Sequence, residues 1–149
     1  MADNLEVLKK GYSDFSDGDI GAATEPWPDD FVWEGPNSEE LPGSGTHEGK
    51  DAALQALESA VGSWDAFRLE IDEFVGEGDT IVALGHTEAS KGDNTVKQPV
   101  VHVWRFEDGA PKRIQVLSDT FQTAQALGLA GGGSSTDDDD DKDDDGADG

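Results

Sequence analysis

The sequence contains no cysteine. Disulfides, thiolate metal sites and cysteine nucleophiles are therefore excluded. Bases are scarce: ten Lys and Arg stand against 34 Asp and Glu, for a formal charge of −24. A basic face for phosphate contacts is missing, which excludes nucleic acid as the expected partner. No apolar run approaches the roughly 20 residues of a membrane span. The N-terminus, "MADNLEVLKK", lacks the basic-then-apolar pattern of a secretory leader. These absences lead to the expectation of a soluble cytoplasmic protein with no membrane partner.

What is present suggests one domain in 149 residues, long enough to bury a core. The boundary is expected at residue 130, with a folded domain over 1–130 and a tail over 131–149. That tail opens on Gly and Ser and becomes a run of Asp. It has nothing apolar to bury and is expected to be disordered. Nine Asp and one Lys place −8 in the tail, and 25 acids against nine bases leave −16 in the rest. Acidity spread over the whole chain self-repels in dilute buffer and is tolerated when salt screens it. The expectation is a protein of a high-salt cytoplasm.

Helical spacing comes first. Leu5, Leu8, Tyr12 and Phe15 recur at three- and four-residue intervals and predict a helix over 3–17. Asp19 caps a short second helix, and Phe31 to Glu34 reads as a short strand. "GPNSEELPGSGTHEG" reads as a long loop, and an Ala-rich helix is expected over 50–62. Alternation then takes over. Strands are predicted over 67–75, 80–88, 96–106 and 113–121, joined by tight turns. Helices first and strands after give α+β: a curved antiparallel sheet with about three helices on one face.

Within "VVHVWRF", Val100, His102, Trp104 and Phe106 share one strand face, and Val101, Val103 and Arg105 share the other. On the last strand Gln115, Leu117, Asp119 and Phe121 alternate with Ile114, Val116 and Ser118. Placing His102, Gln115 and Asp119 among the aromatics gives apolar walls with a few polar groups, as in a small-molecule pocket. A carboxylate beside an imidazole makes proton transfer available. Two plainer readings stand beside this one. A histidine on an apolar face is often a core residue bonded to a backbone carbonyl, and Asp119 can cap the segment after it.

The segments "SDGDIGAATEPWPDDFVWEGP", "LPGSGTHEGKDA", "GDTIVALGHTEA", "VVHVWRFEDG" and "RIQVLSDT" follow one another in order. Together they resemble the SnoaL-like polyketide cyclases and ketosteroid isomerase-like proteins of the nuclear-transport-factor-2-like superfamily, over about residues 3–128. The resemblance implies a cone with a pocket in its mouth, and commonly a homodimer packed sheet to sheet. The face of Val101, Val103 and Arg105 suits that contact. The cyclase acid/base matches Asp119, and the oxyanion-holding position of the isomerases falls on His102. The isomerase base position reads Gly35, with Glu34 one residue earlier and so on the opposite face. The isomerase tyrosine is offset by one from Tyr12. Arg105 lies opposite His102, so the Asp-Arg-Asp set of the related epoxide hydrolases is not formed.

His47, His86 and His102 have no metal-ligand spacing, and no metal is expected. The loop glycines lack the Lys-Ser/Thr ending of a phosphate cradle. The expected function is cofactor-free proton transfer next to a carbonyl in a small apolar substrate. Asp119 and His102 are the expected catalytic pair, with Tyr12, Trp33, Glu34, Trp104, Gln115 and Phe121 binding substrate. The alternative is a non-catalytic ligand-binding or dimeric assembly module on the same fold.

Overall fold

Asp3 opens the first helix by accepting from the Leu5 N–H at 2.8 Å, the bond an N-cap carboxylate makes to an orphan donor. This computed structural model describes residues 3–36, 41–76 and 78–129. The expected tail and its boundary at residue 130 lie outside these residues. Helix α1 spans Asn4–Ser16, and α2 spans Ile20–Thr24, capped by the Asp19 carboxylate on the Ala22 N–H. The Ala-rich helix α3 spans Lys50–Gly62.

One sheet of six strands carries the rest. Its strands are β1 (Val32–Glu34), β2 (Thr46–Glu48), β3 (Ala66–Val75), β4 (Thr80–Lys91), β5 (Asn94–Glu107) and β6 (Ala110–Ser118), in the order β2-β1-β6-β5-β4-β3. The sheet is curved and unclosed, as the cone fold requires. β3 to β6 form the expected antiparallel meander, whereas β1 runs parallel to β6. β2 was read as loop. Three residues folded back onto β1 give too short a pattern for alternation to reveal.

The last predicted strand ends early. β6 stops at Ser118, and α4 spans Thr120–Ala126 with Asp119 as its N-cap.

The β5–β6 turn has Asp108 and Gly109 both at positive φ, 53° and 81°. That is the Asp-Gly chemistry of a two-residue hairpin turn. Register then shifts between Arg105 and Phe106, where β6 carries one extra residue, Lys112. Such a bulge bends the strand pair. The core gathers between the concave sheet face and the helices. Phe31 and Ile81 are wholly buried there, and Trp27 stacks on Phe31 with ring centroids 4.1 Å apart.

Candidate ligand cavity

The bulge decides which β6 side chains enter the concave face. Continued without it, the hairpin would pair His102 with Gln115. With Lys112 inserted, His102 pairs with Val116 and Trp104 with Ile114. Cross-strand partners share a face. Ile114, Val116 and Ser118 therefore line the concave side, and Gln115 and Leu117 turn outward.

The concave side holds a cavity of about 170 Å³, roofed by α1, α2 and α3. An apolar cavity of about 150 Å³ is enough to take benzene. Among the described residues, Tyr12 and His102 are the only ionisable side chains that line it. Trp33 and Trp104 are buried in its wall. The Trp33 indole N–H donates to the Gly43 carbonyl at 2.8 Å and is thereby spent on the loop.

Tyr12, His102 and Trp104 form a chain. An indole N–H can only donate, so Trp104 Nε1 gives its proton to Tyr12 Oη at 2.8 Å. The Tyr12 hydroxyl lies 2.6 Å from His102 Nδ1. Donation from Tyr12 to Nδ1 satisfies every group in the chain, and it places the imidazole proton on Nε2. Nε2 makes no hydrogen bond among the described residues, and His102, 8% exposed, lines the cavity. Burial pushes the His102 pKa down to about 4, so the ring is neutral at pH 7. Burial also pushes the Tyr12 phenol up, and the Trp104 bond opposes this weakly. The cavity thus offers a neutral imidazole N–H on an apolar wall.

Four expected site residues lie elsewhere. The Asp119 carboxylate caps α4: Oδ1 accepts from the Gln122 N–H at 3.0 Å and Oδ2 from the Gln122 side-chain amide at 2.6 Å. Those bonds, the side-chain one first, hold its pKa below the usual carboxylate value. Phe121 sits on α4 and is 65% exposed. Gln115 faces outward because of the bulge. Glu34 is also on the outer face, paired with Arg113. The expected proximity of His102 and Asp119 is therefore corrected: the polar partner of His102 is Tyr12.

Gln98 was missed. It is buried at 6% exposure, on the same β5 face as His102. Its Oε1 accepts from the Asp119 N–H at 2.8 Å, and its Nε2 donates to Thr123 Oγ1 at 2.9 Å, tying α4 to the sheet. Extending the alternation of Val100, His102 and Trp104 back two residues was the available signal. Gly35 also has a structural reason. A Cβ there would stand 1.9 Å from the Gly43 carbonyl oxygen, so the isomerase base position has no room for a side chain.

Glu70, Asp72 and His86 form a His-carboxylate cluster on the outer face. Glu70 approaches Nε2 at 3.0 Å and Asp72 approaches Nδ1 at 3.3 Å. One ligand atom from each of the three residues lies within 4.8 Å of the others. Among the described residues no helix is long and apolar enough to cross a membrane.

The model of the SnoaL-like domain matches residues 8–114. The chain belongs to the SnoaL-like domain family. Its fold is shared by TerC, whose crystal structure was obtained with polyporic acid: 26% identity, TM-score 0.76, covering 84% of this chain and 98% of that one. An NTF2-like protein of unknown function from Burkholderia pseudomallei is 25% identical, with TM-score 0.77 and coverage of 85% and 98%. A protein of cystatin-like fold from Xanthomonas campestris shares the fold at 20% identity, with TM-score 0.73 and coverage of 85% and 98%. No curated protein matches the chain in sequence.

Proposed function

We propose that this SnoaL-like chain binds a small, largely apolar molecule that carries a ring and one hydrogen-bond-accepting oxygen. The observation that carries this reading is His102: buried, neutral, bonded to Tyr12 at Nδ1, and with Nε2 free of protein partners among the described residues. A buried donor on an apolar wall is satisfied by an acceptor on the ligand. The likeness to TerC, crystallised with polyporic acid, supports a small organic ligand. Acetophenone tests the reading by calorimetric titration. It should bind the wild type and bind His102→Phe at least tenfold more weakly; equal binding by both would remove His102 from the site.

A second reading makes the cavity a site of proton transfer next to a carbonyl, without a cofactor. The short Tyr12–His102 bond favours it, because the N–H that faces the ligand oxygen would also stabilise an enolate there. Nε2 is protonated and Nδ1 is bonded to Tyr12, so His102 has no lone pair free for the ligand, and no carboxylate lines the cavity among the described residues; the proton next to the carbonyl would pass to a base from solvent while Nε2–H holds the enolate oxygen. Exchange of the acetophenone methyl protons into deuterated water, monitored by NMR, separates the readings. Exchange lost in His102→Phe supports catalysis, and binding without exchange supports the non-catalytic module.

We also propose that the outer sheet face joins two copies. Val82, Leu84, Val101 and Val103 lie half-buried there beside Leu117, which is 48% exposed. Sedimentation of the wild type and Leu117→Asp tests this: a dimer that dissociates in the variant supports it, and a wild-type monomer removes it. The acidic composition supports a high-salt cytoplasm as the setting, with a melting temperature that rises steeply with potassium chloride.

A further inference from the structure

Thr87 sits on the concave face of β4, in step with the buried Ile81 and Ala83, and lines the cavity. It is 8% exposed, and its hydroxyl makes no hydrogen bond among the described residues. A buried hydroxyl without a partner is destabilising, and native structures keep few of them. Gln98 faces Thr87 across the β4–β5 ladder and lines the same cavity. Its Nε2 gives one proton to Thr123 Oγ1, which leaves the second amide proton without a partner among the described residues.

This polar pair lies in the same space as His102. Val100 and its cross-strand partner Ser118 stand between the two on the concave face, and both line the cavity. Gln98 and His102 are four residues apart on β5, about 13 Å along an extended strand. A para-substituted ring with a hydrogen bond of about 2.9 Å at each end suits that interval. The lining also limits the charge of an occupant. Tyr12 and His102 are the only ionisable side chains there among the described residues, and both are neutral at pH 7. A charged end would meet no counter-charge. A hydroxyl suits the pair, because it can accept from the Gln98 amide and donate to Thr87 Oγ1.

We propose that Thr87 and Gln98 hold a second polar group of the ligand, a hydroxyl at the end of the ring opposite the oxygen that His102 holds. The ligand class is then an uncharged aryl carbonyl compound with a hydroxyl para to the carbonyl group. The ligand hydroxyl supplies the partner that Thr87 lacks within the protein. A site built to bond a hydroxyl rejects the analogue without one, because its own buried groups are then left unpaired. The inference rests on the cavity being a ligand site and extends that reading to the far end.

The test compares 4'-hydroxyacetophenone with 4'-methylacetophenone by calorimetry at about pH 6, where the phenol is protonated. Acetophenone serves as the ring-only probe. The wild type should bind the hydroxyl compound about tenfold more tightly than the methyl compound. Thr87→Val keeps the shape of the side chain and removes its hydroxyl, so most of that preference should vanish while the melting temperature does not fall. A methyl compound that binds the wild type as well as the hydroxyl compound would overturn the second anchor alone. So would a full preference in Thr87→Val, or a clear drop in its melting temperature, which would show the hydroxyl already bonded within the protein. Failure of acetophenone to bind the wild type would overturn the cavity reading and this inference with it.

Discussion

Tyr12 Oη lies 2.6 Å from His102 Nδ1, across 90 residues of sequence. Trp104 donates to the same hydroxyl from two residues beyond His102, on the same strand face. One tyrosine thus accepts from β5 and donates back to it. The bond fixes the imidazole with its proton on Nε2, and the low pKa keeps it neutral.

Tyr12→Phe removes the hydroxyl and leaves the Trp104 N–H and His102 Nδ1 without partners. Two buried polar groups left unpaired cost about 2 to 4 kcal/mol. Urea unfolding should show a loss of that order. An unchanged midpoint would mean that neither bond contributes to stability.

His102 also sets an acid limb of stability. Its folded pKa of about 4 lies below the ordinary 6.5, so the unfolded chain binds the proton first. Stability from this group is complete above about pH 6.5 and declines as pH falls toward 4, by at most about 3 kcal/mol. His102→Gln should flatten the stability curve between pH 4 and 6.5. A curve unchanged in that window would place the imidazole in contact with water.

At Asp119 the account separates capping from acid/base chemistry. Asn also caps helices, whereas Ala does not. Asp119→Asn should keep most of the thermal stability and bind acetophenone as the wild type does, while Asp119→Ala should melt lower. Binding lost in both variants, with stability kept, would place the carboxylate at the ligand.

Gly35→Asp would place a carboxylate where the ketosteroid isomerases have their base. The Gly43 carbonyl already fills the first atom's position. Forcing a side chain into packed backbone costs about 1 to 3 kcal/mol or more. Thermal melting should fall clearly, and no steroid isomerisation should appear. A stable variant would show that the 41–45 loop yields easily.

The order of helices and strands was legible because Leu5, Leu8, Tyr12 and Phe15, and then Val100 to Phe106, follow the helical and strand periods closely. α3 was legible to the residue. The β5 face carrying His102 and Trp104 was equally plain, since alternation fixes which residues on one strand go together. Alternation does not fix how two strands align. Lys112, a single inserted residue, turned Gln115 outward and brought Val116 and Ser118 inward, and nothing local to Lys112 announces a bulge. Asp119 was open to two readings from the start, and the choice depended on where β6 ends. Tyr12 came to His102 only through packing of α1 on the sheet, a distance in sequence that no periodicity spans.

The most direct test is a nitrogen-15 NMR spectrum of histidine-labelled protein at pH 7, recorded as acetophenone is added. The account predicts a neutral His102 ring with its proton on Nε2, an unprotonated Nδ1 shifted by the Tyr12 bond, and a further shift of Nε2–H on titration. A proton on Nδ1, or an Nε2 signal indifferent to the ligand, would contradict it.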